Sequence, residues 1–401
     1  MSSAPSPRAL SGQLVALHAR VPLGMRLGLE PMRAACVAAG HPEAAFPVVH
    51  VAGTNGKGST CAMLEAIARA SGLRTGLYTS PHLVRFAERI RIDGEPLRDA
   101  DLERFLDEAL TVGADLSFFE TATLAAFLAF RAARVELAVV EVGIGGRLDA
   151  TNVIPSPRCS AITGIALDHQ GMLGDTLALI AAEKAAIARR GVPIVLGALP
   201  ADARASAEAV IAAAGARIVE AAPLPSDVTL GLEGPHQRAN ASVAWTIADV
   251  LGIGEAHRRE GLVSVRWPGR LERIAGTGGW LLDGAHNPEG ARALVQAVAG
   301  EDIGAVIFGA LADKSWREML SIVAGLPAPR VYVGPKGRAP VPLDELVALA
   351  PGEAAASLDE ALAMARARAG GRTVVVAGSL YLVGEARAKL LGLESDPIVA
   401  L

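Results

Sequence analysis

A chain of 401 residues, 51% of them hydrophobic, carries enough apolar material for two α/β domains with separate cores, and its net charge of −4 gives no reason to expect nucleic acid as a partner. No apolar run is long enough to span a bilayer and no signal peptide is recognised near Met1, so a membrane partner is not expected either. Three cysteines, Cys36, Cys61 and Cys159, are odd in number and lack metal-site spacing, which suits a reducing cytoplasm.

Met1 to Pro7 reads as a loose tail, and residues 8–46 as helical with a break near Val21-Pro22; this stretch includes Arg26, Leu27, Gly28, Leu29 and Glu30. Next, the β-branched run Val48-Val49-His50-Val51-Ala52 meets the glycine-rich Gly53-Thr54-Asn55-Gly56-Lys57-Gly58-Ser59-Thr60. Behind it Cys61, Leu64, Ile67 and Ala68 recur at helical spacing until Gly72. Strand, glycine loop and helix in that order form an anion cradle, because glycines let several N–H groups converge and the helix N-terminus adds partial positive charge. A polyphosphate is the expected guest, with Lys57 on its β- and γ-phosphates and Ser59 or Thr60 offering a hydroxyl to Mg²⁺. The generic G-x-x-x-x-G-K-[ST] pattern is not met, since Val51 stands at its first glycine and Gly58 follows the lysine.

Thr79-Ser80-Pro81-His82 opens a loop, because proline denies its predecessor helical angles, and Arg85, Glu88 and Arg89 make that loop polar; a solvated loop is the plain alternative. Helices are predicted over Asp99 to Leu110 and Thr121 to Ala133, the second preceded by Phe118-Phe119-Glu120. Two short apolar runs then read as buried parallel strands. One delivers Glu141 at its carboxyl end; the other, Ser160 to Leu167, delivers Asp168 and His169. Ligands of open α/β sheets bind beyond the carboxyl ends of strands, so Ser59, Glu141 and His169 assemble a plausible Mg²⁺ or Mn²⁺ site beside the phosphate. Taken singly, Glu141 also fits a salt bridge and His169 a hydrogen-bonded core position. A helix from Asp175 to Arg190, capped by Asp175 or Thr176 and stopped by Gly191, places Lys184 on its apolar stripe with Leu177, Ile180 and Ile187. Such a lysine either snorkels to water or is desolvated toward a neutral amine, which can add CO₂ to become an anionic carbamate. Lysine is also scarce: it accounts for five of the 38 basic residues, at 57, 184, 314, 336 and 389, so a surviving lysine hints at amine chemistry that arginine cannot reproduce.

Residues 221–235 read as an irregular connection, followed by a helix from Gln237 to Leu251, and the domain boundary falls near Val263 to Trp267. Beyond it, strands at Trp280–Leu282, Ala305–Phe308, Arg330–Val333 and Thr373–Ala377 alternate with helices in a Rossmann-like pattern. Their loops carry Asp283, His286, Asn287, Asp313 and Lys314, and no G-x-G-x-x-G follows any of them, which argues against a dinucleotide.

Seven stretches together resemble the folylpolyglutamate synthase and dihydrofolate synthase family, within the Mur-ligase group of ATP-dependent amide-forming ligases. They are Gly53 to Ser59, Thr79 to Leu83 with Glu88-Arg89-Ile90, Glu141 to Asn152, Asp168-His169-Gln170 with Glu183-Lys184-Ala185, Gly234 to Gln237 with Asn240-Ala241, Trp267 to Glu272, and Asp283 to Pro288. The resemblance implies an α/β protein with an N-terminal, P-loop NTPase-like Mur-ligase central domain over residues 1–265 and a smaller C-terminal Rossmann-like domain over 266–401. By the same resemblance Gly56, Lys57, Gly58, Ser59, Asn240, Arg270, Asp283 and His286 bind ATP. Ser59, Glu141, His169 and a carbamylated Lys184 hold Mg²⁺ in two sites, and Lys57, His169 and Lys184 serve catalysis. The pterin-bearing substrate is expected at Arg26, Leu27, Gly28, Leu29, Ser80, Pro81, His82, Phe118, Phe119, Glu120, Leu148, Asp149 and Ala150. Two positions depart from the family pattern: Ala185-Ala186 replaces the usual Ala-Gly, and Arg26 stands where some bifunctional members carry aspartate. The implied reaction adds L-glutamate to dihydropteroate, to the γ-carboxyl of folates, or to both, through an acyl phosphate, in a cytoplasmic monomer. The rivals are a sister Mur ligase acting on UDP-muramoyl peptides, an NTPase with no acceptor, and a Rossmann oxidoreductase.

Overall fold

The computed structural model describes residues 11–21, 28–275, 279–337 and 339–397. Its first sheet contains β1 (Val48–Ala52), β2 (Thr75–Tyr78), β3 (Ile90–Ile92), β4 (Glu95–Pro96), β5 (Leu137–Glu141), β6 (Cys159–Ile162), β7 (Pro193–Leu196) and β8 (Arg217–Glu220), in the order β4-β3-β2-β5-β1-β6-β7-β8. From β2 to β8 along that order the strands are parallel, and β3 and β4 add an antiparallel edge. β1 is buried along its whole length, as its unbroken apolar pattern requires of a strand covered on both faces. Its chain leaves toward β2 on one side, while β6 leads to β7 on the other. The switch point between β1 and β6 opens a crevice at their carboxyl ends.

The helix Lys57–Ala70 is buried from Ser59 through Ala68, not only along the stripe that the spacing suggests. The sheet covers one side, and the helices Pro235–Val250 and Glu255–Ser264 cover the rest. Gly261 makes that approach possible, since a Cβ there would lie 2.5 Å from the Ile67 amide nitrogen.

Several predicted bounds shift by one or two residues, and three shift further. The helix expected from Thr121 starts at Phe118, because Ser117 and Glu120 form a reciprocal capping box. The strand expected to run to Leu167 ends at Ile162, and the chain then turns under the glycine loop, with Thr163 Oγ1 donating to the Asn55 carbonyl at 2.7 Å and the Thr54 amide donating to Gly164 O at 2.7 Å. The helix expected over 175–190 is Leu177–Ala185, with Thr176 as its cap; beyond it the Arg189 guanidinium takes the carbonyls of Ala186 and Ala188.

The second sheet contains β9 (Glu272–Ile274), β10 (Trp280–Leu282), β11 (Ile303–Phe308), β12 (Arg330–Tyr332), β13 (Glu353–Ala354) and β14 (Thr373–Ala377), ordered β13-β12-β11-β14-β10-β9 with only β9 antiparallel. Helices flank both faces over two apolar layers. Among the described residues no helix is long and apolar enough to cross a membrane, and Cys36, Cys61 and Cys159 are free and buried.

Candidate active site

β1 ends at Ala52, and the chain turns through Gly53 and Gly56, with φ of +151° and +83°, into the helix Lys57–Ala70. A Cβ at Gly56 would stand 2.1 Å from Asn240 Oδ1, and one at Gly53 would stand 2.0 Å from Thr163 Oγ1. Both neighbours brace the loop from outside, so its inner face and the uncapped helix N-terminus are left for an anion. The Lys57 ammonium folds onto the carbonyls of Gly53 and Thr54 at 3.0 and 3.1 Å. Ser59 is buried and its hydroxyl accepts from Gln237 Nε2 at 3.4 Å.

Glu141 ends β5, buried, with Oε2 accepting the Ser80 amide at 3.1 Å. Burial pushes its carboxyl up, while Lys57 and the Ser80 N–H pull it down. Lys184 is 5% exposed, which settles the snorkelling question against water. Burial, then the charge of Lys57, lowers its ammonium to about 7, so a neutral amine is accessible. Burial likewise lowers the His169 imidazole to about 4, leaving it neutral and able to donate a lone pair. For Asp168 burial raises the carboxyl, but His169, Lys314 and His286 together outweigh it and hold it well below the ordinary range. Ser59, Glu141, His169, Lys184 and Lys57 all line one cleft of about 840 Å³. Among the described residues no three His, Cys, Asp or Glu side chains gather closely enough to hold a cation. The predicted donor set contains only two of those types, so a divalent ion here also requires the Ser59 hydroxyl and an acidic group on Lys184 that the free amine lacks.

On the first-domain flank Ser80, Pro81, Phe118, Phe119, Glu120, Leu148, Asp149 and Ala150 line the same cleft. Glu120 is partly committed elsewhere, since Oε2 accepts the Ser117 amide and hydroxyl at 2.8 and 2.7 Å. His82 is not part of the lining: Arg89 Nε donates to its Nδ1 at 2.9 Å and covers it. Gly28 and Leu29 also stand outside the lining, Leu29 being buried ahead of the helix Glu30–Ala38, and Arg26 and Leu27 lie outside the described residues.

Two residues here escaped the sequence reading. Arg89 is 1% exposed, lies over the rings of Phe86 and Phe118 at 5.4 Å each, lines the cleft, and has a buried Nη2 with no hydrogen-bond partner among the described residues. The sequence placed Arg89 in a polar loop for which a solvated face was the plain alternative, and gave it no role of its own. His50, inside β1, contacts Thr151 Oγ1 through Nε2 at 2.8 Å, and Thr151 donates its hydroxyl proton to Asp149. Thr151 has only one proton to give, so His50 Nε2 must carry its own hydrogen. Asp149 also accepts the Ile144 amide at 3.0 Å. No periodicity signals such a relay.

The second domain closes the cleft with Arg270, Asp283 and His286. Asp283 accepts the amides of Leu271 and Ala285 at 3.0 Å each, and burial pushes its carboxyl up against the pull of Arg270. The His286 ring contacts the Gly284 carbonyl through Nδ1 at 2.8 Å, and burial lowers its pKa to about 4. Side chains cross between the domains: Lys314 Nζ donates to Asp168 at 2.8 Å, Asn287 Nδ2 to Asn55 Oδ1 at 2.8 Å, and Asn55 Nδ2 to Glu289 at 2.6 Å. Such a site can hold a nucleotide tail between two sets of strand ends with an acceptor beside it.

Residues 51–222 match the family described as Mur ligase middle domain, and residues 269–380 match the Mur ligase, glutamate ligase domain. The folylpolyglutamate synthase of Lacticaseibacillus casei is 37% identical over 398 residues, covering 88% of this chain and 92% of that protein. The structure of Mycobacterium tuberculosis folylpolyglutamate synthase complexed with ADP superposes with a TM-score of 0.87 at 30% identity, over 94% of this chain and 98% of the other. A bifunctional folylpolyglutamate synthase/dihydrofolate synthase with Mn, AMPPNP and L-glutamate bound superposes with a TM-score of 0.86 at 31% identity, over 96% of this chain and all (100%) of the other.

Proposed function

The chain belongs to the folylpolyglutamate synthase and dihydrofolate synthase family of Mur ligases, and we propose from that premise how its own residues carry out ATP-dependent glutamate ligation. The acceptor is a pterin-bearing acid, dihydropteroate or a folate γ-carboxylate, and the donor amine is that of L-glutamate. ATP lends its γ-phosphoryl group to the acceptor carboxylate oxygen as the bond to the β-phosphate breaks and ADP leaves. The glutamate nitrogen then attacks the acyl carbon and loses a proton, phosphate departs, and the amide remains. Oxide is a very poor leaving group and phosphate a good one, so activation is the purpose of the first step.

In this reading residues 1–265 and 266–401 are the two domains. Gly56, Gly58 and the amides that open the helix Lys57–Ala70 bind the phosphates, and Lys57 exchanges the carbonyls of Gly53 and Thr54 for phosphate oxygens. Asn240 braces the loop, and Arg270, Asp283 and His286 meet the nucleotide from the second domain. Ser59, Glu141, His169 and a carbamate on Lys184 would hold divalent cations in two sites, which supply neutralisation of the charge on the transferring phosphoryl group. Phe118, Phe119, Leu148, Asp149 and Ala150 form the pterin side, and the unpaired Arg89 Nη2 offers a donor to an acceptor atom of that substrate. No side-chain nucleophile is needed, because ATP itself activates the acid, and positioning does much of the work.

The observation that carries the reading is the single cleft in which the phosphate loop, Glu141, His169 and Lys184 adjoin an aromatic wall built from Phe118 and Phe119. Mass analysis of products after incubation with ATP, Mg²⁺, L-glutamate and either dihydropteroate or a reduced folate tests it. A mass gain of one glutamyl unit per ADP formed is expected. Gain only on UDP-muramoyl acceptors, or ATP hydrolysis independent of any acceptor, refutes it.

A further inference from the structure

The segment between β2 and β3 that presents Ser80, Pro81 and His82 has no ladder to hold it until the short helical turn Phe86–Arg89. Side chains gather its amides instead. From within, the Glu88 carboxylate accepts Leu83 N at 2.8 Å, Val84 N at 3.1 Å and Arg85 N at 2.9 Å. The second grip comes from the far end of the chain. After the helix Leu380–Leu391 the tail turns back to the first domain, where the Asp396 amide donates to Val84 O at 3.1 Å and its Oδ2 accepts Phe86 N at 2.7 Å. Asp396 is 5% exposed. One residue joined to both i and i+2 of a neighbouring segment restores the two backbone bonds that an adjacent strand would have supplied.

The same helix presses on the loop directly. A Cβ at Gly384 would fall 2.0 Å from Leu83 O, and from outside that helix one at Gly269, ahead of β9, would fall 3.1 Å from Leu83 Cδ2. Phe86 carries the grip inward: its ring lies 5.8 Å from that of His82, 5.8 Å from that of Phe118 and 5.4 Å from the Arg89 guanidinium, and both Arg89 and Phe118 line the cleft.

We infer that Asp396 is a positioning residue for the pterin-bearing acid, acting through Val84 and Phe86 on the wall formed by Arg89 and Phe118. The inference rests on the ligase reading above. It assigns the segment that follows the helix Leu380–Leu391 a task in the first domain's acceptor site, distinct from the nucleotide contacts proposed for Arg270 and Asp283.

Steady-state kinetics of the full-length enzyme, with the pterin acid, ATP and glutamate varied separately, test it. Losing a buried carboxylate grip of this kind predicts a rise of about tenfold in KM for the pterin acid in Asp396→Ala, with KM for ATP within about twofold of the parent. Asp396→Asn keeps an acceptor oxygen and should restore most of the loss. A chain ending after Leu393 leaves the helix Leu380–Leu391 whole, should show the same rise, and carries the test if the alanine variant does not fold. An unchanged KM for the pterin acid overturns the inference, as does a fall in kcat and Tm with KM unmoved, the mark of a strut. If the parent protein ligates no glutamate, the ligase reading fails instead. Hydrogen exchange then decides the grip by itself: the Phe86 amide must lose protection in Asp396→Ala, and unaltered protection there overturns it.

Discussion

His50 should make the protein sensitive to mild acid. Burial first, and then the charge of Arg189, hold its imidazole down to about 3, against an ordinary value of 6.5. Between pH 7 and pH 5 the unfolded chain therefore takes up a proton at this position while the folded chain does not. A histidine with a lowered folded value stabilises fully above its unfolded pKa, and stability is lost as pH falls below it. Because the folded group is still neutral at pH 5, the loss over that interval depends only on the unfolded value and comes to about 2 kcal/mol, roughly 1.5 pH units at 1.36 kcal/mol each. His50→Gln retains an N–H to offer Thr151 and has nothing to titrate. Urea unfolding of both proteins at the two pH values, followed by far-ultraviolet circular dichroism, gives the double difference, from which the remaining buried histidines cancel. His50→Gln should lose about 2 kcal/mol less than the parent. Equal losses would mean that the folded His50 imidazole takes up its proton over the same interval as the unfolded one, and that burial does not hold it neutral.

Three further substitutions address the nucleotide and metal side. Lys184→Arg keeps a positive charge but cannot form a carbamate, so turnover should vanish while ADP binding by calorimetry persists; substantial activity would remove the carbamate from the mechanism. Lys57→Ala removes the ammonium from the glycine loop and should weaken ATP binding by about 2 kcal/mol, read as a rise in KM for ATP together with a fall in kcat; unchanged values would mean that the loop does not cradle phosphate. Gly56→Ala must place a Cβ at φ +83° against Asn240, and a loss of about 1–3 kcal/mol is expected in thermal or urea unfolding. The double variant with Asn240→Ala should recover the steric part and leave the backbone part.

What was legible in the sequence was what is local. β1 with its glycine loop was readable because β-branched residues, glycines and helical spacing sit side by side within 23 residues, 48–70. Glu141 was readable because an apolar run stops on it. The predicted strands Trp280–Leu282 and Thr373–Ala377 stand as drawn, since buried parallel strands are unbroken apolar runs. Contacts without period were not legible. His50 meets Thr151 across 101 residues, and Phe86 meets Asp396 across 310. The overlong helix past Ala185 failed for a related reason: Ile187 continues the apolar spacing, but Arg189 reaches Asn152 and Ile154 and takes the carbonyls that a further turn would have used. Arg89 was seen only as part of a polar loop and given no role of its own, because polarity does not signal that the rings of Phe86 and Phe118 bury it.

The scarcity of lysine can now be weighed against position. Lys57, Lys184 and Lys314 line the cleft, while Lys336 and Lys389 form ion pairs with Glu385 and Asp359, a task any guanidinium could perform. On the ligase reading, two of the three in the cleft meet a demand that arginine does not. In the proposed mechanism Lys57 releases two carbonyls and takes up phosphate oxygens as a compact, swivelling charge, where a planar fork would be committed to one geometry. Lys184 must be able to shed its proton, and burial beside Lys57 brings it to about 7, whereas a guanidinium stays charged. Lys314 crosses between the domains to Asp168, next to His169, and there it forms an ion pair like those of Lys336 and Lys389. A chain whose positive charge is otherwise carried almost wholly by arginine thus has amines at the two cleft positions where, in the proposed mechanism, charge must move or be lost.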